Sequence, residues 1–600
     1  MKLNFHFFVV LFIAIIAILC DLLIYITKLD YGIALCLSTF ITTIITILFF
    51  KKKSIRIAFD YEKNDIFIFI IFILLVIVQS CLQPDFAYDV KSYHVYLQEN
   101  AFTDRLNFDF FPGRMYCVFL FPLGDRMHYI FRYLLGYRLG IILSAYFLIV
   151  MYYQVKKILE KLSKNNKSKS LYAYSILTIF TLCDFFGSYQ IDNLGLAFLL
   201  ELFYIVFFKN DLLKNKKILY FAIFLSGISI GIKVSNAFFV AILGIYGIIK
   251  NRKDLKTIRI RDFPIGLFLI LIPYAIYLYD NYKQTGSPLF PYYNSIFKSE
   301  YFGLYNWTDL RFTQKNIFFD SILWPLNAFL IQLDYGHNKG QNISREICVA
   351  IYYIFTYICI ISSIIRKKVK TELFKLSILS IICTLAWIYL LQGYVRYGLM
   401  VWCMYLFVFM GCFISFIENR KALKERIKKF LTDHRINYKK MCTYIYYITI
   451  LSLLISGVVL VKESIDSGNI KYIIGDRRTE NNIISIDGVW GTISDDGVVE
   501  NSAYPTLVRE KNTPIYNLDK KTFSSSETTL KLFDEKIKNN NIYVLFDKRN
   551  ETLEENEYVT ALKKIDYEII SVEKIYTADE ISYIDANTTW VLAKVKYVGE

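Results

Sequence analysis

DIFIFIIFILLVIVQSCLQPDFAYDVKSYHVYLQENAF, residues 65–102, divides into two halves of opposite character. As far as Gln83 it is built mostly of Ile, Phe, Leu and Val, and a helix needs about 20 such residues to cross roughly 30 Å of hydrocarbon. The second half then brings in Asp85, Asp89, His94 and Glu99. Carboxylates and an imidazole at the end of a span sit at the bilayer edge. Partial loss of water there raises a carboxylate's proton affinity enough to make it a useful base. The stretch therefore predicts a span followed by an outer loop whose acids are either simple solubilising groups or chemistry.

The apolar pattern recurs along the chain. Spans are predicted near 5–25, 31–50, 65–83, 130–153, 171–187, 194–208, 218–232, 236–249, 263–280, 347–365, 373–391, 397–416 and 442–461. With 55% apolar side chains and only 20% charged residues, the 600-residue chain is too apolar for a water-soluble protein. Its net charge of +16 does not point to nucleic acid, because Lys and Arg lie in short clusters between apolar runs. With the N-terminus cytoplasmic, the predicted inner loops carry 35 Lys and Arg and the longer outer loops 13. That is the positive-inside pattern, and it fixes the expected orientation. An odd number of spans leaves the C-terminal region on the outer face.

Lys2 and the apolar run behind it resemble a signal peptide, but no small-residue cleavage site follows, so the run reads as a retained helix. No cysteine lies beyond Cys442, and no C-x-x-C spacing suggests a metal. Three regions are expected: a helix pair and inner loop over 1–64, a transmembrane region over 65–461 with large outer loops at 84–127 and 280–346, and a polar domain over 462–600. In the last, runs such as Ile542 to Phe546, Tyr567 to Val572 and Trp590 to Val595 read as strands, with helix-like Glu527 to Lys538 and Leu553 to Lys564 between. The fold class is thus a polytopic α-helical membrane protein with a small extracytoplasmic α/β domain.

In a helical first loop, Asp89 and Tyr93, four apart, would share one face, and so would Asp85 and Asp89. The string YDVKSYHVYLQ resembles the first outer loop of bacterial lipid-linked-sugar transferases of the GT-C fold, where an Asp precedes a Tyr-His pair. By that match Asp89 takes the acidic position, with Tyr93 and His94 as the pair, and the acid deprotonates the acceptor or helps to organise a divalent metal. GSPLFPYYNSIFKSEYF, from Gly286 to Phe302, is similar to a proline- and asparagine-containing segment of the same group. Asn294 keeps its asparagine, and Ser287 stands where Asn is usual. Interface anchoring is the other reading of its aromatic residues.

Asp192-Asn193, Lys233 in GIKVSN and Arg396-Tyr397 in QGYVRYGL also face outward under this topology. Lys233 and Arg396 are either snorkelling anchors or two cations that converge on a phosphate. An outer acid, a Lys after a small-residue turn and a late Arg-Tyr recur in this order in GT-C enzymes. Arg132 and Arg138 are lesser phosphate candidates. His94, His128 and His337 show no paired metal-ligand spacing, and the metal ligands, if any, stay unassigned.

The resemblance, over about residues 65–420, implies inverting transfer of a sugar from a polyprenyl-phosphate donor to a cell-envelope polysaccharide, lipid or protein acceptor at the membrane lipid surface. Asp89, with Asp85, would be the base. Lys233 and Arg396 would hold phosphate, and Asp192 would position the acceptor or a metal. The rival is a transporter or flippase of a lipid-linked or polar solute. It would place charges or helix breaks near the midplane of several spans, in related halves; no internal duplication is visible. A scaffold without activity is the third alternative.

Overall fold

The computed structural model describes residues 2–51, 56–58, 87–114, 117–162, 187–306, 343–369, 371–391, 395–419, 483–493, 503–548, 552–577 and 589–599, with positions 70, 73, 74 and 462. Predicted spans 65–83, 171–187 and 442–461, outer-loop residues 307–342, Asp85 and His337 lie wholly or largely outside these, and the side chain of Arg396 does too.

The protein is mostly helical and carries a mixed sheet towards its C-terminus. Helix α1 (Phe5–Thr27) starts at Asn4, whose side chain accepts from the His6 amide, and pairs with α2 (Tyr31–Lys51). The segment predicted as the first outer loop holds a π-helical turn, Val90–His94, that runs into α3 (Val95–Asn100). Then come α4 (Leu123–Leu139), α5 (Ile142–Leu162), α6 (Asp192–Phe208), α7 (Lys216–Ile232), α8 (Asn236–Lys250), α9 (Asp262–Leu271) and α10 (Ala275–Thr285). Three more follow: α11 (Ile343–Ile365), α12 (Glu372–Leu390) and α13 (Leu399–Asn419). Among the described residues four helices (α1, α2, α5 and α12) are long and apolar enough to cross a membrane, or five if α9 and α10, bent by 67°, form one broken span. The chain is a multi-pass membrane protein.

One predicted span moves. The apolar content of 130–153 suggested a single helix, but Gly136 has φ 87° and ψ 176°, a conformation open essentially to glycine alone, and the helix breaks there. Helix α4 instead buries Asp125, Arg126, His128, Arg132 and Arg138, which suits a helix packed against protein rather than lipid. The membrane-length helix is α5, at 142–162.

Helix α6 is buried along nearly its whole length and packs against α5, α7 and α8. This central place explains its near-continuous apolar sequence. Helix α7 approaches α9 so closely that a Cβ on Gly227 would lie 2.3 Å from the Ile270 carbonyl oxygen. A buried trio ties three elements: Asp21 of α1 accepts from Arg126 Nε of α4 at 2.6 Å and from the Tyr277 hydroxyl of α10 at 2.5 Å. Arg126 also donates to the Gln98 carbonyl of α3, while Arg132 pairs with Glu99 and donates to the Gln98 side chain at 2.9 Å. Helix α3 is thereby fastened to α4.

A parallel pair, β1 (Lys2–Asn4) and β2 (Arg56–Ala58), sits at the N-terminus. The C-terminal sheet contains β3 (Val489–Thr492), β4 (Ile515–Asn517), β5 (Ile542–Asp547), β6 (Tyr567–Tyr576) and β7 (Trp590–Tyr597) in the order β4-β3-β5-β7-β6. β3 runs parallel to β4 and β5, and β7 antiparallel to β5 and β6. Helices α15 (Glu527–Lys538) and α16 (Glu557–Lys564), with the short α14 (Ala503–Val508), complete the region; Ser526 and Asn556 cap the first two.

The edge strand β4 is covered by the loop after α3. Phe110 pairs with Tyr516, donating to the Ile515 carbonyl and accepting from the Asn517 amide, each at 2.9 Å. Beside it Asp109, wholly buried, accepts from Arg509 at 2.8 and 3.2 Å, from the Ile515 amide at 2.9 Å and from the Tyr96 hydroxyl at 2.7 Å. An exposed strand edge is a template for unwanted pairing, and this contact closes it.

Candidate functional site

Three residues singled out from sequence meet at one point. Asp192 opens α6, Lys233 closes α7, and Tyr397 lies in the 3-10 turn Val395–Gly398 before α13. The Lys233 ammonium forms an ion pair with Asp192 and stands 4.3 Å from the centroid of the Tyr397 ring. Local geometry explains the meeting. Lys233 leaves the helix in extended conformation, φ −149° and ψ 114°, while its amide still donates to Ser229, so the side chain emerges beyond the last turn. Asp192 sits in the first turn of α6, where the positive helix end favours a carboxylate. The Lys233 side chain keeps 16% exposure against 2% for Asp192, so the ammonium is the member of the pair that a ligand can reach. Its carboxylate and aromatic neighbours offset the loss of water around the charge.

The cluster extends through residues that sequence reasoning passed over. Burial holds the Tyr292 phenol well above its ordinary pKa, reinforced by Tyr397 and Cys117 and opposed by the Arg114 guanidinium. Arg114 in turn lies 5.9 Å from the centroid of Tyr88, the neighbour of Asp89. A run of side chains thus leads from Lys233 through Tyr397, Tyr292 and Arg114 to the acidic loop. The signal for Arg114 was present in the string PGR, a turn that ends in a cation on the outer loop.

Asp89 is buried and stands at the head of the π-helical turn; such turns recur at functional sites. Tyr93 and His94 are both buried, with ring centroids 4.2 Å apart. His94 points its Nδ1 at Asp125 of α4, 2.8 Å away, and burial raises the Asp125 carboxyl above its usual range against the pull of that imidazole. Asn294 acts locally: its side-chain amide donates to the carbonyls of Ser299, Phe302 and Gly303, and its oxygen accepts from the Ser299 amide, which folds the 294–303 loop. Arg132 is engaged by Glu99 and Gln98.

Among the described residues no three His, Cys, Asp or Glu side chains stand together as ligands for a metal ion. The donor set brought together at Lys233 is one carboxylate beside an ammonium, which suits an anion better than a divalent cation.

No protein-family model matches the chain, and no curated protein does. Solved structures do. The chain is similar over most of its length to ArnT from Cupriavidus metallidurans. Against the crystal structure bound to undecaprenyl phosphate the match covers 89% of this chain and 98% of that one, at 9% identity and a TM-score of 0.45. The apo structure gives 88%, 97%, 10% and 0.46. Arabinosyltransferase EmbB from Mycobacterium smegmatis matches 64% of this chain at 10% identity and a TM-score of 0.33, and the chain spans about a third of it, 34%. Likeness at this level says nothing of chemistry, which has to be read from the residues themselves.

Proposed function

We propose that the protein is a GT-C-type glycosyltransferase that moves a sugar from a polyprenyl-phosphate donor to a cell-envelope acceptor on the extracytoplasmic face. The observation that carries this reading is the convergence of Asp192, Lys233 and Tyr397 from three separate segments. A reachable, pre-positioned ammonium at the end of a span is what a lipid phosphate requires, since its anion must lie at the headgroup level while its tail stays in hydrocarbon. The solved ArnT structure holds undecaprenyl phosphate, and its chemistry, carried over, agrees with this ligand class.

In the proposed reaction the acceptor hydroxyl attacks the anomeric carbon from the face opposite the phosphate. The new C–O bond forms as the bond to the phosphate oxygen breaks, with inversion. Asp89 takes the hydroxyl proton, and polyprenyl phosphate leaves with the electron pair. Negative charge grows on the phosphate along this path, so Lys233, with Arg396 and Arg114 as further cations, lowers the barrier by charge-assisted hydrogen bonds that strengthen as the sugar departs. Asp192 holds Lys233 in place before the donor arrives. The C-terminal sheet region belongs, in this reading, on the same outer face and positions the first loop.

The test incubates membranes holding the wild type or Asp89→Asn with radiolabelled polyprenyl-phosphate sugars and extracted envelope polymer. Loss of label transfer in the variant alone is the expected result. Equal transfer by both would remove Asp89 from its role, and solute flux without transfer would favour a transporter.

A further inference from the structure

Behind Asp192 the fold buries polar atoms that nothing among the described residues satisfies. His128, with no exposed surface, reaches no more than the Gln190 backbone, which leaves a ring nitrogen unpartnered; Asn193 has a partner at neither amide atom, and Gln190 none at its side-chain oxygen. These residues belong together. Helix α4 packs on the segment before α6, so that a Cβ on Gly124 would lie 2.8 Å from Ile191. The His128 ring meets Tyr189 edge-on at 5.3 Å, and Tyr189 donates to the Tyr137 carbonyl. Burial and the nearby His94 push the His128 pKa down to about 3, so the ring is neutral, with one donor nitrogen and one acceptor. Of the carboxylate in this neighbourhood, Asp125, one oxygen is engaged by His94 and the other is unpartnered.

Buried orphan donors and acceptors are costly, and their occurrence together calls for a ligand that both gives and takes hydrogen bonds. Sugar hydroxyls do both. The position is also right: in a sugar phosphate only one oxygen separates the anomeric carbon from phosphorus, so the ring must lie directly beside the phosphate site, and Asn193 adjoins Asp192, the partner of Lys233. We propose that His128, Gln190 and Asn193 seat the donor's sugar, and that the seat takes a neutral polyhydroxylated ring. The three side chains named are uncharged, so a sugar carboxylate or ammonium held by them alone would be stripped of water with no charge to meet it. This inference rests on the reading of the protein as a polyprenyl-phosphate-sugar transferase.

The test uses the full chain in lipid nanodiscs, measuring affinity for undecaprenyl phosphate and for the same lipid carrying glucose, galactose or mannose, or carrying glucuronate or glucosamine. The wild type is expected to bind at least one neutral glycolipid about tenfold more tightly than the bare lipid, and neither charged one. Asn193→Leu keeps volume and removes only unpartnered atoms, and Gln190→Met removes the unpartnered oxygen together with the side-chain nitrogen, so both should abolish the preference and leave bare-lipid affinity within about twofold, and Asn193→Leu should leave the melting temperature unlowered. Unchanged preference in both variants, as for a seat that holds water only, would overturn the proposal. So would parallel loss of bare lipid, or tighter binding of a charged sugar. Bare-lipid binding without any gain from a neutral sugar rejects the seat and spares the functional reading; a wild type that binds none of these lipids rejects both.

Discussion

Lys233 and Asp192 lie forty-one positions apart in sequence, yet both were legible in it, because a charged side chain between two apolar runs has few places to go except a membrane edge. Their meeting was not legible, since it depends on how α6 and α7 cross. Tyr292 was hidden for a related reason, since aromatic residues at interfaces are common; Tyr397 was picked out only with its neighbour Arg396, and the cation above its ring is visible in the structure alone. His128 looked like a scattered loop histidine until its burial was known. The ion pair permits a prediction with opposite signs. Lys233→Gln removes a charge-assisted contact to phosphate and should weaken undecaprenyl phosphate binding by about tenfold or more. Asp192→Asn frees the ammonium from its competitor, so the bare lipid should bind at least as tightly as to wild type. Titration of both variants in nanodiscs decides the matter, and equal weakening would make the pair a structural tie instead.

Most helices fell where apolar runs placed them, because a span's length is dictated by the bilayer. Two described runs departed: 263–280 bends by 67° between α9 and α10, and in 130–153 hydropathy averaged over a window concealed a break. Gly136 sets that break, in the helix that buries Asp125 and His128. Gly136→Ala would force a side chain into a conformation reserved for glycine and should cost about 1–3 kcal/mol. Gly244→Ala in α8 makes the matching control, since a Cβ there meets nothing within 4 Å and alanine favours a helix interior by about 1 kcal/mol. Melting of the two variants in the same detergent should therefore move in opposite directions. A Gly136→Ala protein as stable as wild type would mean that α4 reaches its place by packing alone.

At the scale of the molecule, β5, β6, β7 and the two longer C-terminal helices were readable from alternation and periodicity, whereas the short β3 and β4 and the attachment of the sheet were not, because Asp109 and Arg509 are 400 positions apart. Asp109 connects the sheet edge to the loop that carries Arg114, and Asn517 strengthens the join by donating to the Gly113 carbonyl at 3.0 Å. On the other side Thr529 donates to the Tyr301 carbonyl at 3.1 Å, in the loop folded by Asn294. Both loops that reach the Tyr292 and Arg114 cluster are thus held by the same sheet region. Arg509→Met would leave a fully buried carboxylate with only Tyr96 and the Ile515 amide, and breaking such a pair costs about 3–5 kcal/mol. Asp109→Asn added to it removes the stranded charge while keeping an acceptor for the amide, so the double variant should recover part of the loss. Thermal unfolding in nanodiscs measures that recovery, and hydrogen exchange over residues 96–114 should rise in Arg509→Met and fall back in the double variant. If exchange in that loop does not respond to Arg509, the strand pairing at Phe110 suffices to hold it, and the buried ion pair has no part in shaping the site.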